Sequence, residues 1–263
     1  MSIHKDELVK IIEKIAPPEL MESWDNSGIQ LEAGSGQIEG ILVCLDVTEE
    51  TIGEAVEKGC DFILSHHPLI FTPLKQISQA SFPGKYITEL IRRGISVYSA
   101  HTTFDSAPGG NNDYLAELLG LSQISAPEGL SILRTGYFPQ PVSLERVCAL
   151  VKERLSMKEP VRFAGRPDDV IRKAAVCTGA GASLLEEAAA LSCQLLITGD
   201  VKYHDALRGR ELGICLVDGG HFATEITFGE NMGKRLRSML EGRARVVFAG
   251  KQKNPLKTAG ALW

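Results

Sequence analysis

Ile41-Leu42-Val43-Cys44-Leu45, then Thr48 to Lys58 closed by Gly59, then Phe62-Ile63-Leu64-Ser65-His66-His67-Pro68 is the stretch that decides the fold. Five apolar residues in a row read as a buried strand, the next segment as a helix that stops at its glycine, and Phe62-Ile63-Leu64 as a second strand. Further along, Lys85 to Arg93 reads as a helix closed by Gly94 and followed by the strand Ile95-Ser96-Val97-Tyr98. Toward the N-terminus, Leu8, Ile11, Ile12 and Ile15 recur at helical spacing and stop before Pro17-Pro18, while Trp24-Asp25-Asn26-Ser27-Gly28 reads as a turn into a short strand. Helix, glycine and buried strand in alternation predict an α/β fold whose sheet is mostly parallel and carries helices on its faces.

The same grammar returns after residue 170. A shift of 133 sets Val43-Cys44 on Val176-Cys177, Glu54-Ala55 on Glu187-Ala188 and Phe62-Ile63-Leu64-Ser65 on Leu195-Leu196-Ile197-Thr198. With one inserted residue, Gly94 to His101-x-x-x-Asp105 lies beside Gly213 to His221-x-x-x-Glu225. The expectation is two similar α/β lobes with mixed, mostly parallel sheets, whose matching His-x-x-x-acid segments would converge on one site. The boundary is placed so that 1–125 is one lobe and 126–263 is a strand-helix insertion plus the other lobe. In the insertion, Ile132 to Phe138 reads as a strand and Ser143 to Leu155 as a helix with Leu144, Val147, Leu150 and Val151 on one face.

Composition narrows the class. At 263 residues and 44% hydrophobic the chain can bury a full core without staples. A net charge of −5 argues against a general basic field for nucleic acid or anionic membrane. Uncharged runs such as Ala174 to Leu185 fall short of the roughly 20 apolar residues a membrane span needs, although Gly-bearing. The first residues pass into an amphipathic pattern with no signal-peptide core, so a cytoplasmic location is expected. Cys44, Cys60, Cys148, Cys177, Cys193 and Cys215 stand singly and read as small core residues in a reducing compartment.

The histidines are grouped. Apart from His4 they lie in Ser65-His66-His67-Pro68, Ala100-His101 to Asp105, Lys202-Tyr203-His204-Asp205 and Gly220-His221 to Glu225, each after an apolar run. Adjacent residues of a strand face opposite ways, so His66 and His67 share a site only if the chain bends at the strand's carboxyl end, where ligands of open α/β sheets gather. Each His-x-x-x-acid pair, taken singly, would equally suit a surface ion pair. Taken together, His66, His67, His101, Asp105, His221 and Glu225 offer four imidazoles and two carboxylates. That donor chemistry suits Zn²⁺, Mn²⁺, Fe²⁺ or Ni²⁺. Six ligands exceed what one catalytic ion takes and suffice for two, if a carboxylate bridges them. Two such ions deprotonate a water and polarise the bond it attacks, so the spacing favours a two-metal hydrolytic site.

Gly199-Asp200 occupies the place of the twin histidines in the second half. Beside it, Lys202 and His204 are candidates for substrate binding or proton transfer, and Asp200 for accepting a proton from a ligand imidazole. An equally open reading is a helix N-terminus capped by Asp200. Gly179-Ala180-Gly181 is a glycine-rich turn after a strand, incomplete as a dinucleotide fingerprint.

These motifs, from Trp24-Asp25-Asn26-Ser27-Gly28 through Thr198-Gly199-Asp200-Val201-Lys202-Tyr203-His204-Asp205 to Gly220-His221-Phe222-Ala223-Thr224-Glu225, resemble those of the Nif-three-like family (NGG-one-interacting factor three), many of whose members carry the name GTP cyclohydrolase I type 2 homologue. The resemblance runs from the first helix to about Glu230. It implies a toroidal homohexamer with two metal ions per subunit in a metal cleft between the two similar lobes, held by the same six residues, and water attack on GTP with formate release. The family usually has Asn where Thr103 stands, and the short central insertion is similar to the family's short form. Two functions fit: a metal-dependent hydrolase acting on a nucleotide or other small molecule, and a non-catalytic metal-binding hexamer with an assembly or regulatory role.

Overall fold

The computed structural model describes residues 1–257. In chain order, the first elements are β1 (Ile3–His4), α1 (Lys5–Ile15), β2 (Gly28–Leu31), β3 (Gln37–Ile38), β4 (Gly40–Cys44), α2 (Glu49–Glu57), β5 (Phe62–Ser65), α3 (Gly84–Arg93), β6 (Ser96–Ser99) and α4 (Thr102–Ser106). There follow α5 (Asn111–Leu118), β7 (Ser122–Ser125), β8 (Arg134–Ser143), α6 (Leu144–Arg154), β9 (Arg162–Ala164), β10 (Val170–Val176), α7 (Leu185–Ala190), β11 (Leu195–Thr198), α8 (Tyr203–Leu212), β12 (Cys215–Asp218), α9 (His221–Glu225), α10 (Phe228–Leu240) and β13 (Arg245–Phe248).

Two compact units share this chain. The first is Met1–Gly110 with Phe228–Lys253, and the larger part of the second is Asn111–Thr227. The first is built on a five-stranded sheet in the order β13-β4-β5-β6-β2, parallel except for the edge strand β2. The central strands β4 and β5 are apolar apart from Ser65, because both faces are covered. Alternation sorts the side chains. Ile41, Val43, Phe62 and Leu64 join the buried stripe of α1 (Leu8, Ile11, Ile12, Ile15) and that of α10 (Phe228, Met232, Leu236, Leu240). Leu42, Cys44, Ile63 and Val97 pack instead with Ile52 and Ala55 of α2 and Ile87 and Leu90 of α3. Each such side chain taken out of water contributes about 1.5–3 kcal/mol before entropy is counted.

The second unit repeats the plan on a six-stranded sheet, β7-β8-β10-β11-β12-β9, with β10, β11 and β12 parallel. Ala174, Val176, Leu195 and Ile197 face α5 and α6, while Ala175, Leu196 and Leu216 face Leu185 and Ala188 of α7. The internal repeat seen in the sequence is therefore a repeat of elements. A shift of 133 carries Phe62–Ser65 onto Leu195–Thr198, and a shift of 119 carries α3 onto α8. Both helices end on a left-handed glycine, Gly94 at φ 68° and Gly213 at φ 70°.

The division at 125/126 is corrected. Residues 111–125 belong with the second unit and Phe228–Lys253 with the first. The physical reason is the apolar stripe of α10, which is buried with α1, and the parallel pairing of β13 with β4 from Arg245↔Gly40 to Phe248↔Val43. His4, which has no role in the sequence reading, caps α1 by accepting a hydrogen bond from Asp6 N. Five cysteines are buried and Cys148 is half-buried, all as free thiols.

Candidate metal centre

The carboxyl ends of the first unit's parallel strands carry three imidazoles. β5 ends at Ser65, so the chain is free to bend, and the rings of His66 and His67 stand only 5.1 Å apart. His101 follows β6 directly, and its ring lies 5.1 Å from that of His66 and 5.6 Å from that of His67. One ligand atom from each of the three falls within 4.8 Å of the others.

Every one of these rings is oriented through Nδ1. His66 Nδ1 donates to Ala100 O at 2.9 Å, His67 Nδ1 to Asp46 Oδ1 at 2.7 Å, and His101 Nδ1 to Asp25 Oδ1 at 2.8 Å. An imidazole whose Nδ1–H is so engaged presents the lone pair of Nε2, the arrangement that fixes metal-binding histidines. Asp105, on α4 and buried, lies 3.6 Å from His66 Nε2 through Oδ1. That exceeds a hydrogen bond and is close to the separation of two ligand atoms on one ion.

Strand register explains who orients whom. Cys44 pairs with Ser65 in the parallel β4–β5 ladder, so two residues on Asp46 comes beside His67. Gly28 pairs with Ser99 in the antiparallel β2–β6 ladder, so the residues before 28 run alongside those after 99 and Asp25 reaches His101. The sequence reading gave neither aspartate a role, although the position of Asp46, two residues past a strand parallel to the one bearing His67, was a usable signal. Asp25 is further held by Ser27 Oγ at 2.7 Å and Thr102 N at 3.1 Å. Burial pushes its carboxyl pKa upward. The hydrogen bond and charge of His101, with Thr102 and Ser27, outweigh that and hold it well below the usual aspartate range. Thr103, where the resemblance expects Asn, lies 3.4 Å from Ser27 Oγ and so stands behind this network.

The second unit carries the other expected pair at the start of α9. His221 Nδ1 donates to Asp200 Oδ2 at 2.8 Å, and its Nε2 is 2.9 Å from Glu225 Oε2. Asp200 is therefore an imidazole orienter, and α8 is capped by Asp205, which accepts from Lys202 N at 2.8 Å. The glycine-rich turn also gains a role. A Cβ on Gly179 would stand 2.1 Å from Glu225 Oε1, so the glycine makes room for that carboxylate. Thr224 Oγ1 accepts from Gly179 N at 3.0 Å and ties the turn to α9.

Lys202 and His204 are exposed on the surface of the second unit. Lys202 lines a crevice of about 190 Å³ with Arg162, Phe163, Tyr203 and Asp218, beside the carboxyl ends of β11 and β12. His204 does not line it and stands edge-on to Tyr203, with ring centroids 5.4 Å apart. Asp218 links the crevice to His221, since its Oδ1 accepts from Gly220 N at 2.9 Å while Oδ2 pairs with Arg162.

No helix among the described residues is long and apolar enough to cross a membrane. The Duf34/NIF3 (NGG1p interacting factor 3) family profile matches residues 3–255. A Clostridium perfringens protein named GTP cyclohydrolase 1 type 2 homolog is 34% identical over 260 residues, covering 96% of this chain and 98% of its own. A Helicobacter pylori protein named GTP cyclohydrolase 1 type 2 is 35% identical over 222 residues, 84% of this chain and 87% of its own. In fold, the chain is similar to a Bacillus cereus protein related to NIF3, with a TM-score of 0.90 at 24% identity, covering 98% of this chain and 99% of that one. With a profile match across nearly its whole length and relatives above 30% identity, this α/β chain belongs to the Duf34/NIF3 family.

Proposed function

We propose that the protein is a metal-dependent hydrolase of the GTP cyclohydrolase I type 2 kind, in which His66, His67, His101, Asp105, His221 and Glu225 together hold two divalent ions of the Zn²⁺, Mn²⁺, Fe²⁺ or Ni²⁺ class. The observation that carries this reading is the set of imidazoles tethered at Nδ1 to Ala100 O, Asp46 and Asp25. Such tethering organises nitrogen donors for a cation. The names of the relatives supply the substrate class.

When bound, the ions supply acidification of a water and polarisation of the bond it attacks. The chain's own residues do the rest. Asp25, Asp46 and Asp200 hold His101, His67 and His221 in the tautomer that presents Nε2. Lys202 gives the crevice beside β11 and β12 a cationic group for the phosphates of a nucleotide, next to the Arg162–Asp218 pair, and the exposed ring of Tyr203 offers its base a stacking face. His204, one residue further on and exposed, is the group that exchanges a proton with solvent during turnover. A homohexamer in the cytoplasm is the assembly and place this reading carries, in keeping with six free thiols.

The test uses full-length protein stripped of metal and reloaded with Mn²⁺ or Zn²⁺, then assayed for formate release from GTP and for hydrolysis of a phosphoester panel. Metal-dependent turnover that His67→Ala abolishes, with the fold retained, is the expected result. Metal bound at full occupancy with no turnover on any substrate refutes the hydrolase and leaves a metal-binding assembly or regulatory protein.

A further inference from the structure

The positions of His66 and His67 depend on the end of β4. His66 N donates to Cys44 O at 3.0 Å, His67 N donates to Leu45 O at 2.9 Å, and the His67 ring donates to Asp46. Whatever fixes Cys44 to Asp46 therefore fixes both imidazoles. Part of that hold comes from α2, where Thr51 Oγ1 donates to Asp46 O at 3.0 Å. The remainder comes from the chain that follows β13. Ala249 N donates to Val43 O at 3.0 Å, and the side-chain carbonyl of Gln252 accepts from Leu45 N, a residue 207 positions away.

This following segment is itself gripped. Glu54 is a buried carboxylate on α2, and its oxygens accept from Gly250 N at 2.9 and 3.0 Å and from Lys251 N at 3.0 Å. Lys58, one turn along the helix, pairs with the same carboxylate. A buried carboxylate is costly unless its lone pairs are filled, and here they are filled by two successive backbone N–H groups and the Lys58 ammonium. Beyond the Ala249–Val43 bond, which extends the β13–β4 ladder by one step, it is this grip that places the Gln252 amide at Leu45 N.

We propose that Ala249 to Gln252 is a strap that positions the His66 and His67 donors, with Gln252 as its positioning residue. Through Leu45 N it fixes the backbone that carries Asp46, and through Asp46 the ring of His67. The metal-affinity part of this inference rests on the metal reading above, whereas the ring-orientation part stands on the hydrogen bonds alone. Losing the Gln252 acceptor leaves Leu45 N to seek water and lets Asp46 drift from His67 Nδ1. Asp46, hydrogen-bonded directly to the His67 ring, is the kind of partner worth about ten- to a hundredfold in metal affinity, and Gln252 acts through it.

The experiment compares Gln252→Met, which keeps length but lacks an acceptor, with Gln252→Glu, which keeps the acceptor. Zn²⁺ affinity is read by competition with a chromophoric chelator, stability of the metal-free protein by its denaturant midpoint, and the His67 Nδ1–H by nitrogen-15 NMR. The expected result is a tenfold or larger loss of Zn²⁺ affinity in Gln252→Met at an almost unchanged midpoint, with Gln252→Glu within a few-fold of the parent. Wild-type affinity in Gln252→Met overturns the proposal, as does a loss that merely follows the midpoint or one that Gln252→Glu fails to restore. None of these readouts involves turnover, so a protein that binds metal but hydrolyses nothing leaves the strap standing. If the parent binds no Zn²⁺, the metal reading fails and the NMR signal decides alone. A displaced or lost His67 Nδ1–H in Gln252→Met supports the strap, and an unchanged one overturns it.

Discussion

Gly179→Ala should cost the protein its hold on metal by a mechanism that can be separated from general destabilisation. The added Cβ would lie 2.1 Å from Glu225 Oε1 and 3.5 Å from His221 Cε1. A carbon and an oxygen rest at about 3.3 Å, so that carboxylate oxygen has to retreat by about 1 Å. Glu225 is 3% exposed and has no open side to retreat into without turning its carboxylate away from His221. The alanine also inherits a left-handed φ of 67°, a strain of about 1–2 kcal/mol for a residue with a Cβ. Gly213→Ala isolates that strain, because it carries the same cost at φ 70° with nothing within 4 Å of the new methyl. Both variants should lose about 1–2 kcal/mol from this strain in denaturant unfolding of the metal-free protein, and Gly179→Ala should lose more because it also displaces a buried carboxylate. Only Gly179→Ala should lose metal affinity as well, by about ten- to a hundredfold, read by chelator competition with Zn²⁺ or Mn²⁺. Equal affinities for the two variants would refute the assignment of Glu225 to the metal, since the clash would then have moved a bystander.

Two further outcomes follow from burial and charge. The folded pKa of Asp25 lies below its ordinary value of 3.8, so between the two only the unfolded chain takes up a proton and stability falls as the pH drops through and below about 4. Thermal midpoints of the metal-free protein between pH 6 and pH 3 should show that slope, and Asp25→Asn should flatten it; parallel slopes would count against the His101–Asp25 interaction. Burial pushes the Cys148 thiol up to about 11 and the Cys215 thiol up to about 12, so a disulfide reagent at pH 8 should react slowly with the native protein and with all six thiols in guanidinium. Rapid native reaction of several thiols would contradict the packing of the two cores.

The sequence was legible wherever a signal is local. Strand runs such as Ile41 to Leu45 and the helix-closing glycines 94 and 213 declare themselves through hydrophobic order and backbone freedom. The His-x-x-x-acid segments declare themselves through side-chain chemistry, and each sits at a strand end as expected. What stayed hidden depends on pairings between distant segments. Asp25 and Asp46 become orienters only once the registers Gly28↔Ser99 and Cys44↔Ser65 are known. Gly179 reads as no more than part of a glycine-rich turn, because the carboxylate it accommodates comes from 46 residues further on. Phe228, Met232, Leu236 and Leu240 form a legible helical stripe, yet nothing local says that its partner is the first helix of the chain.

That last pairing bears on how the protein is made. During synthesis His66, His67 and His101 emerge early, but α10 and β13 emerge only after the whole of Asn111–Thr227. The larger part of the second unit therefore emerges while the first still lacks an edge strand and a covering helix, with the apolar stripe of α1 and the open side of β4 waiting. A nascent chain stalled before residue 228 would present the three imidazoles on an unfinished sheet, so the arrangement of those rings is timed to the arrival of α10 and β13 rather than to the appearance of the histidines themselves.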